Sequence, residues 1–296
     1  MISVVIPIHN RRKNLYFTLK ALSLQTLPKS AFEVIVADDG STDDPYRAIT
    51  EYESVLAIKY VRLTKKDEWN ASRPRNYGAK LAEKTSLAYV FVDSDVMLNK
   101  FALACYAEDF TRNKNRVVIG PYNWLPPMYM DASDIGFGWK KIISGEMRPA
   151  YVNGPMGTIG EDVRMMSFNK AQTPDDTFGE AFDGLACFGG NLMIPRDIFW
   201  SVGGYDENIF YGCEDGDLGL TLWSRKIPFS YDKRTIGYHV WHPLSEARGR
   251  NTRREIDKLN QKHFGTTEQK LIQYTREAYK NWGIDWNPPP EWEVKN

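Results

Sequence analysis

Apolar residues along this chain alternate between short β-prone runs and stretches where they recur every three or four positions. Ser3 to Ile8 reads as a strand that stops at Pro7-Ile-His-Asn10. Leu15, Leu19 and Leu22 then follow at helical spacing, with Asn10 placed to cap that helix and Pro28 to end it. Glu33 to Ala37 is a second strand, opening into Asp38-Asp-Gly-Ser-Thr-Asp43, a loop of turn formers and carboxylates. The pattern continues with a helix over 44–53, a strand over 58–63, a helix over 75–83 and an apolar strand from Leu87 to Val92. Lys100 to Asn113 reads as a further helix and Arg116 to Gly120 as a strand.

Strand-helix alternation of this kind predicts a mostly parallel sheet with helices on both faces. Ligands in such sheets bind beyond the carboxyl ends of the strands. The acidic loop after the second strand and the pair Asp93 and Asp95 therefore fall on one rim. Strand alternation predicts that Asp93 and Asp95 project to the same side, with Ser94 pointing away. Two hard oxygen donors there suit Mg2+ or Mn2+, above all beside a bound phosphate. The turn after the first strand lacks G-x-G-x-x-G and G-x-x-x-x-G-K, which demotes a dinucleotide oxidoreductase and a P-loop enzyme.

From Pro121 to about Leu185 the periodicity is lost among Gly, Pro, Met and aromatic residues, and residues 121–185 read as an acceptor-side insertion. Order returns with Cys187-Phe-Gly-Gly-Asn191 and Gly203-Gly-Tyr-Asp-Glu207, and Glu214 and Asp215 open a helix whose Leu218 and Leu222 face inward. Glu214-Asp-Gly-Asp217 lacks the remaining ligand positions of an EF-hand. His239 and His242 sit in Tyr238-His-Val-Trp-His242 after a short strand, where imidazole suits Mn2+. The basic residues from Arg248 to Lys262 read as a solvated helix face, with a weak contact to a membrane surface as the other use of that charge. A last helix spans 267–282, ahead of a proline-rich tail.

Lys+Arg and Asp+Glu both number 38, so nothing in the balance suggests capture of nucleic acid. The chain has no stretch of 18 apolar residues, and no basic segment precedes a long apolar run. Cys105, Cys187 and Cys213 have no metal-type spacing and suit reduced thiols. The expectation is a cytoplasmic protein, at the inner face of the membrane if the basic segment touches lipid, in which the sequon at Asn70 carries no glycan.

Val4-Val-Ile-Pro-Ile-His-Asn10, Val34-Ile-Val-Ala-Asp-Asp-Gly-Ser-Thr-Asp43, Arg75-Asn-x-Gly78 and Val92-Asp-Ser-Asp95, in that order, resemble the nucleotide-sugar-binding half of the family 2 glycosyltransferases. The resemblance implies a GT-A fold, an α/β sheet with a helical carboxyl-terminal extension. It assigns Pro7, His9 and Asn10 to the edge of the nucleotide pocket, Asp39 with Asp38 to the base, and Arg75 to the nucleotide's side. Asp93 would meet ribose or metal, with Ser94 beside it, and Asp95 would be a metal ligand. The carboxyl half is similar to the branch shared by polypeptide N-acetylgalactosaminyltransferase-like and chondroitin-polymerase-like proteins. This chain departs from their pattern in carrying Tyr205 for Phe and Gly212-Cys213 before Glu214.

By that resemblance His239 or His242, with a lean to His239, completes the shell of a Mn2+ or Mg2+ ion, and Arg248 or Arg250 would touch the diphosphate. The implied organisation is a transferase domain over 1–245, comprising a nucleotide half (1–100), the insertion and an acceptor half (186–245), followed by the extension over 246–296. The implied reaction moves a sugar from a nucleoside diphosphate sugar, expected to be UDP-linked, to a nucleophile on a glycan, lipid-linked sugar or peptide. Asp215 would act as base and Glu214 would orient hydroxyls. An in-line base predicts inversion, whereas the N-acetylgalactosaminyltransferase-like branch retains configuration. A sugar-1-phosphate nucleotidyltransferase would need a basic Gly-rich loop after the first strand, and an inactive sugar-binding module would have lost Asp95 or Asp215.

Overall fold

The structure is a computed structural model that describes residues 1–64, 70–125, 152–154, 157–159, 162, 184–210, 213–240, 252–266 and 270–281. In chain order its elements are β1 (Ile2–Ile8), α1 (Arg12–Ser23), β2 (Phe32–Asp38), α2 (Tyr46–Ile49), β3 (Ile58–Arg62), α3 (Ser72–Leu81), β4 (Ala88–Val92), β5 (Val96–Leu98) and α4 (Ala102–Arg112). They continue with β6 (Val117–Ile119), β7 (Tyr122–Leu125), β8 (Val152–Gly154), β9 (Gly157–Ile159), β10 (Asn191–Pro195), α5 (Arg196–Ser201) and α6 (Glu214–Ser224). The last are β11 (Phe229–Tyr231), β12 (Gly237–Val240), α7 (Thr252–Phe264) and α8 (Lys270–Asn281).

Among the described residues, seven strands form the main sheet in the order β11-β6-β10-β4-β1-β2-β3. β1 pairs in parallel with β2 and β4, and β2 with β3, as the alternation predicts. β1 is buried along its whole length and apolar but for Ser3, because both its faces are covered. Val4, Ile6 and Ile8 enter a core with α1 and α4, while Val5 enters a second core with Ala79 of α3 and the aromatic side chains Tyr89, Phe91, Phe199 and Tyr205. Leu15, Leu19 and Leu22 are fully buried, each contributing about 1.5–3 kcal/mol over exposure.

One strand runs against the rest. β10 lies antiparallel between β4 and β6, with Asn191 opposite Val92. Its amino end therefore reaches the rim where β4 ends, and the Gly190 carbonyl accepts from the Asp93 amide at 3.3 Å. Buried Asn191 fixes that end, donating to the carbonyls of Pro121 and Thr235 and accepting from the Tyr106 hydroxyl at 2.7 Å. A smaller sheet, β5-β12-β7, sets His239 of β12 opposite Val96.

Three local expectations change. Asn10 does not cap α1; it takes a left-handed conformation with φ of 52°, which a short amide side chain tolerates, and its Oδ1 accepts from the Thr42 amide. The amide at the start of α1, on Arg12, donates instead to Asp43 Oδ2 at 2.8 Å, so the cap comes from the acidic loop. The predicted helix over 44–53 is four residues of α2 followed by turns. The basic carboxyl-terminal segment is not simply solvated: Lys258 pairs with Glu255, and Lys262 with Asp206 and Asp217. Arg248, Arg250, His242 and most of the 121–185 insertion lie outside the described residues. No described helix is long and apolar enough to cross a membrane. Asn70, the sequon residue, is buried and donates to the Glu207 carbonyl at 2.6 Å.

Candidate active site

The rim begins where β1 and β2 end side by side. His9 Nδ1 donates to the Asp39 carbonyl at 3.0 Å, leaving Nε2 to accept from the Asn10 amide at 3.2 Å. Pro7 is one step inside the strand, paired with Ala37. Asp38 has no exposure, and both its oxygens are used: the Ser41 amide donates at 2.8 Å and the Tyr60 hydroxyl at 2.7 Å. It pins the loop and has no free edge for a base. Asp39 faces Arg73 at 3.2 Å, and burial raises its carboxyl pKa against the pull of that guanidinium. Arg73 also donates to the Thr64 carbonyl, so it closes the rim between β2 and β3. Gly40, Thr42, Arg62, Leu63 and Thr64 line an open depression beside this loop.

Strand alternation does not carry through Asp93 and Asp95. β4 ends at Val92, and Asp93 to Val96 form a turn closed by the Val96 amide on the Asp93 carbonyl at 3.0 Å. Strand alternation stops before the motif, so it does not set the direction of the two carboxylates, which meet different partners. Asp93 Oδ1 accepts from Arg75 Nη2 at 2.9 Å. Ser94 is buried and its carbonyl accepts from the Thr18 hydroxyl. Asp95 Oδ1 lies 3.4 Å from His239 Nε2, with both side chains less than a tenth exposed.

Arg75 is the hinge of the site. Its side chain is 2% exposed, and its Nη1 reaches Asp215 Oδ1 at 3.1 Å and Glu214 Oε1 at 3.4 Å while Nη2 holds Asp93. Its guanidinium also stacks over the Tyr205 ring at 5.0 Å. Burial opposes its charge, but Asp215, Asp93 and Glu214 outweigh burial and raise its pKa. Asp215 is pushed in the other direction from a normal carboxyl: burial, reinforced by Glu214 and Asp93, lifts it to about 7 despite Arg75. Both acids occupy the first turn of α6, where the helix dipole favours negative charge.

Two glycine segments make this arrangement fit. Gly189 leaves the space that a Cβ would fill: such an atom would lie 2.4 Å from Asp215 Oδ1, 2.6 Å from the Tyr205 hydroxyl and 2.9 Å from Arg75 Cζ. Gly203 and Gly204 take φ of 92° and 76°, which turns Tyr205 back under the guanidinium. Asn76 clamps that turn, exchanging hydrogen bonds with the Tyr205 amide and carbonyl, both at 2.9 Å.

The donors fit a divalent ion only in part. Cis ligands of an octahedral ion sit about 3 Å apart, so Asp95 and His239 match two positions. Among the described residues no group of three or more His, Cys, Asp or Glu side chains forms a cage, so further ligands would come from substrate phosphates or from outside those residues. Sequence reasoning missed Arg73, Tyr60 and the role of Tyr205. Arg73 had a signal in its place two residues before Arg75; the others are joined only by the fold.

Residues 3–129 match the family model described as glycosyl transferase family 2. Over 274 residues the chain is 29% identical to validoxylamine A glucosyltransferase of Streptomyces hygroscopicus subsp. jinggangensis, covering 89% of this chain and 61% of that protein. It is 28% identical over 290 residues to the chondroitin synthase of Escherichia coli, covering 91% of this chain and 40% of the synthase. The chain thus spans about three-fifths or less of the length of these relatives. Among solved structures, S. aureus TarS 1–349 in complex with UDP-GlcNAc superposes with a TM-score of 0.67 at 18% identity, over 95% of this chain and 72% of TarS. That likeness bears out the expected GT-A fold, and the chondroitin synthase match falls in the branch that the carboxyl-half motifs resemble.

Proposed function

We propose that this chain, which carries a glycosyl transferase family 2 domain, moves a sugar from a nucleoside diphosphate sugar to an acceptor hydroxyl with Asp215 as the base. The observation that carries the reading is Arg75, whose single guanidinium joins Asp93 on the rim to Asp215 on α6. A carboxyl with a pKa near 7 is matched to taking a proton at neutral pH.

The donor lies along the rim formed by Pro7, His9, Asn10 and Asp39, with Asp39 held in place by Arg73. Asp93 and Ser94 face its ribose side. Asp95 and His239, with His242 as a further ligand, would hold a divalent cation, which would neutralise charge on the diphosphate. Asp215 accepts the acceptor's proton as the new bond to the anomeric carbon forms and the nucleoside diphosphate departs. A base acting in line with the anomeric carbon would give inversion. Glu214 orients hydroxyls of acceptor or donor, and Arg75 holds both acids in register. TarS binding UDP-GlcNAc favours a UDP-linked donor, and the name of the chondroitin synthase relative favours a glycan acceptor.

The test is a panel of UDP-sugars with and without Mn2+, monitored for release of UDP. Turnover of at least one donor that chelation abolishes, and that His239→Ala shifts to higher Mn2+ demand, supports the reading. Absence of metal-dependent turnover for every donor, hydrolysis included, contradicts it.

A further inference from the structure

The helix that carries Glu214 and Asp215 is gripped on its other side by α7. Residues two apart on a helix do not share a face, so Asp215 turns toward Arg75 and Gly189 while Asp217 turns toward α7. Asp217 is 2% exposed and both its oxygens are taken: Lys262 Nζ lies 2.8 Å from Oδ2 and His263 Nε2 2.7 Å from Oδ1. The same Lys262 ammonium reaches Asp206 Oδ2 at 2.8 Å. One cation therefore ties both ends of the 206–217 segment, which contains Glu214 and Asp215.

Further contacts follow the same segment. Glu255 has no exposure and accepts from the Phe210 amide at 3.0 Å. Lys258 donates to the Asn208 carbonyl at 2.7 Å and pairs with Glu255 at 2.9 Å. Below these bonds Ile256 and Leu259 share a core with Ile209, Cys213 and Leu220. Glu214, Asp215 and Asp217 crowd one helical turn, where the dipole favours them but they repel each other. Arg75 offsets the first two from one side, and Lys262 offsets the third from the other, where His263 also lies within hydrogen-bond distance.

We propose that α7 is a strap that sets the position of the Glu214–Asp215 pair, with Lys262 and His263 as positioning residues; the inference rests on Asp215 being the reacting base. The hydrogen bonds and ion pairs just described place the strap on the 206–220 region, away in sequence from the rim at Asp39 and Asp93. Loosening it moves the base relative to a donor whose binding is unchanged, and misplacement of about 1 Å costs up to about a hundredfold in rate.

Lys262→Met and Lys262→Arg test this, since the Lys262 side chain is 37% exposed and its loss leaves the cores intact. Hydrogen–deuterium exchange should rise about tenfold in peptides covering 206–220 of the Met variant, with peptides covering 1–10 and 88–98 unchanged. UDP affinity measured by calorimetry should stay within about twofold, kcat for UDP release should fall at least about tenfold, and Lys262→Arg should recover most of it. If Lys262→Met unfolds, His263→Gln gives the same readouts. Unchanged exchange over 206–220, or a kcat loss matched by an equal loss of UDP affinity, overturns the strap. The exchange result stands whatever the reaction proves to be, whereas loss of the Asp215 role would show in Asp215→Asn alone.

Discussion

Arg75 and Asp215, 140 residues apart in sequence, meet at 3.1 Å in a site where the arginine is almost wholly buried. That contact joins α3, in the amino half of the chain, to α6 in the carboxyl half. It is also the point at which stability and chemistry are most tightly coupled.

Removing Arg75 leaves Asp93, Glu214 and Asp215 without their shared cation. Arg75→Met should therefore destabilise the fold by about 3–5 kcal/mol, measured by urea unfolding. Arg75→Lys should recover only part of this, because a single ammonium cannot span the three acceptors that the planar fork reaches. Equal stability of Arg75→Met and the parent chain would show that the cluster is not an ion-paired unit.

Asp215, lifted to about 7 chiefly by burial, gives a pH dependence with a definite sign. As a base it works only when ionised, so kcat/KM should fall by about tenfold per pH unit below pH 7. Stability moves the other way. The folded pKa lies above that of an ordinary aspartate, so this group's contribution is fully present below about pH 4 and is lost as pH rises through about 7. Asp109, raised to about 7 mainly by its own burial, shares that window, so the comparison to make is the parent chain against Asp215→Asn. Between pH 4 and 7 the parent should lose stability relative to the variant; a constant difference would contradict the shift.

Gly189→Ala places a methyl 2.4 Å from Asp215 Oδ1, against a buried tyrosine and the guanidinium, none of which can withdraw easily. UDP release should fall by about a hundredfold while UDP binding, governed by the rim, changes little. Kinetics paired with calorimetry check both halves, and loss of UDP binding with retained turnover would be the opposite result.

What the sequence disclosed follows the reach of each signal. Leu15, Leu19 and Leu22 repeat within one helix, and Glu214 and Asp215 sit at a helix start; both are local patterns and both are found in place. The Asp93 and Asp95 pair follows β4 as the sequence predicts, but it sits in a turn closed by Val96, where strand alternation no longer sets the direction of the side chains. Asn10 looked like a cap, yet Asp43 provides it from across the rim, a contact between residues 31 apart. The three carboxylate partners of Arg75 lie 18, 139 and 140 residues away, beyond any periodicity. Lys262 read as a solvated charge for the same reason: Asp206 and Asp217 reach it only after α7 folds back on α6.

The central claim, that Asp215 takes the acceptor's proton, is tested most directly by Asp215→Asn with the donor that turns over best. The variant should bind UDP as the parent does and release it at least about a thousandfold more slowly, across the whole range from pH 6 to 9. Transfer at the parent rate would remove Asp215 from that role.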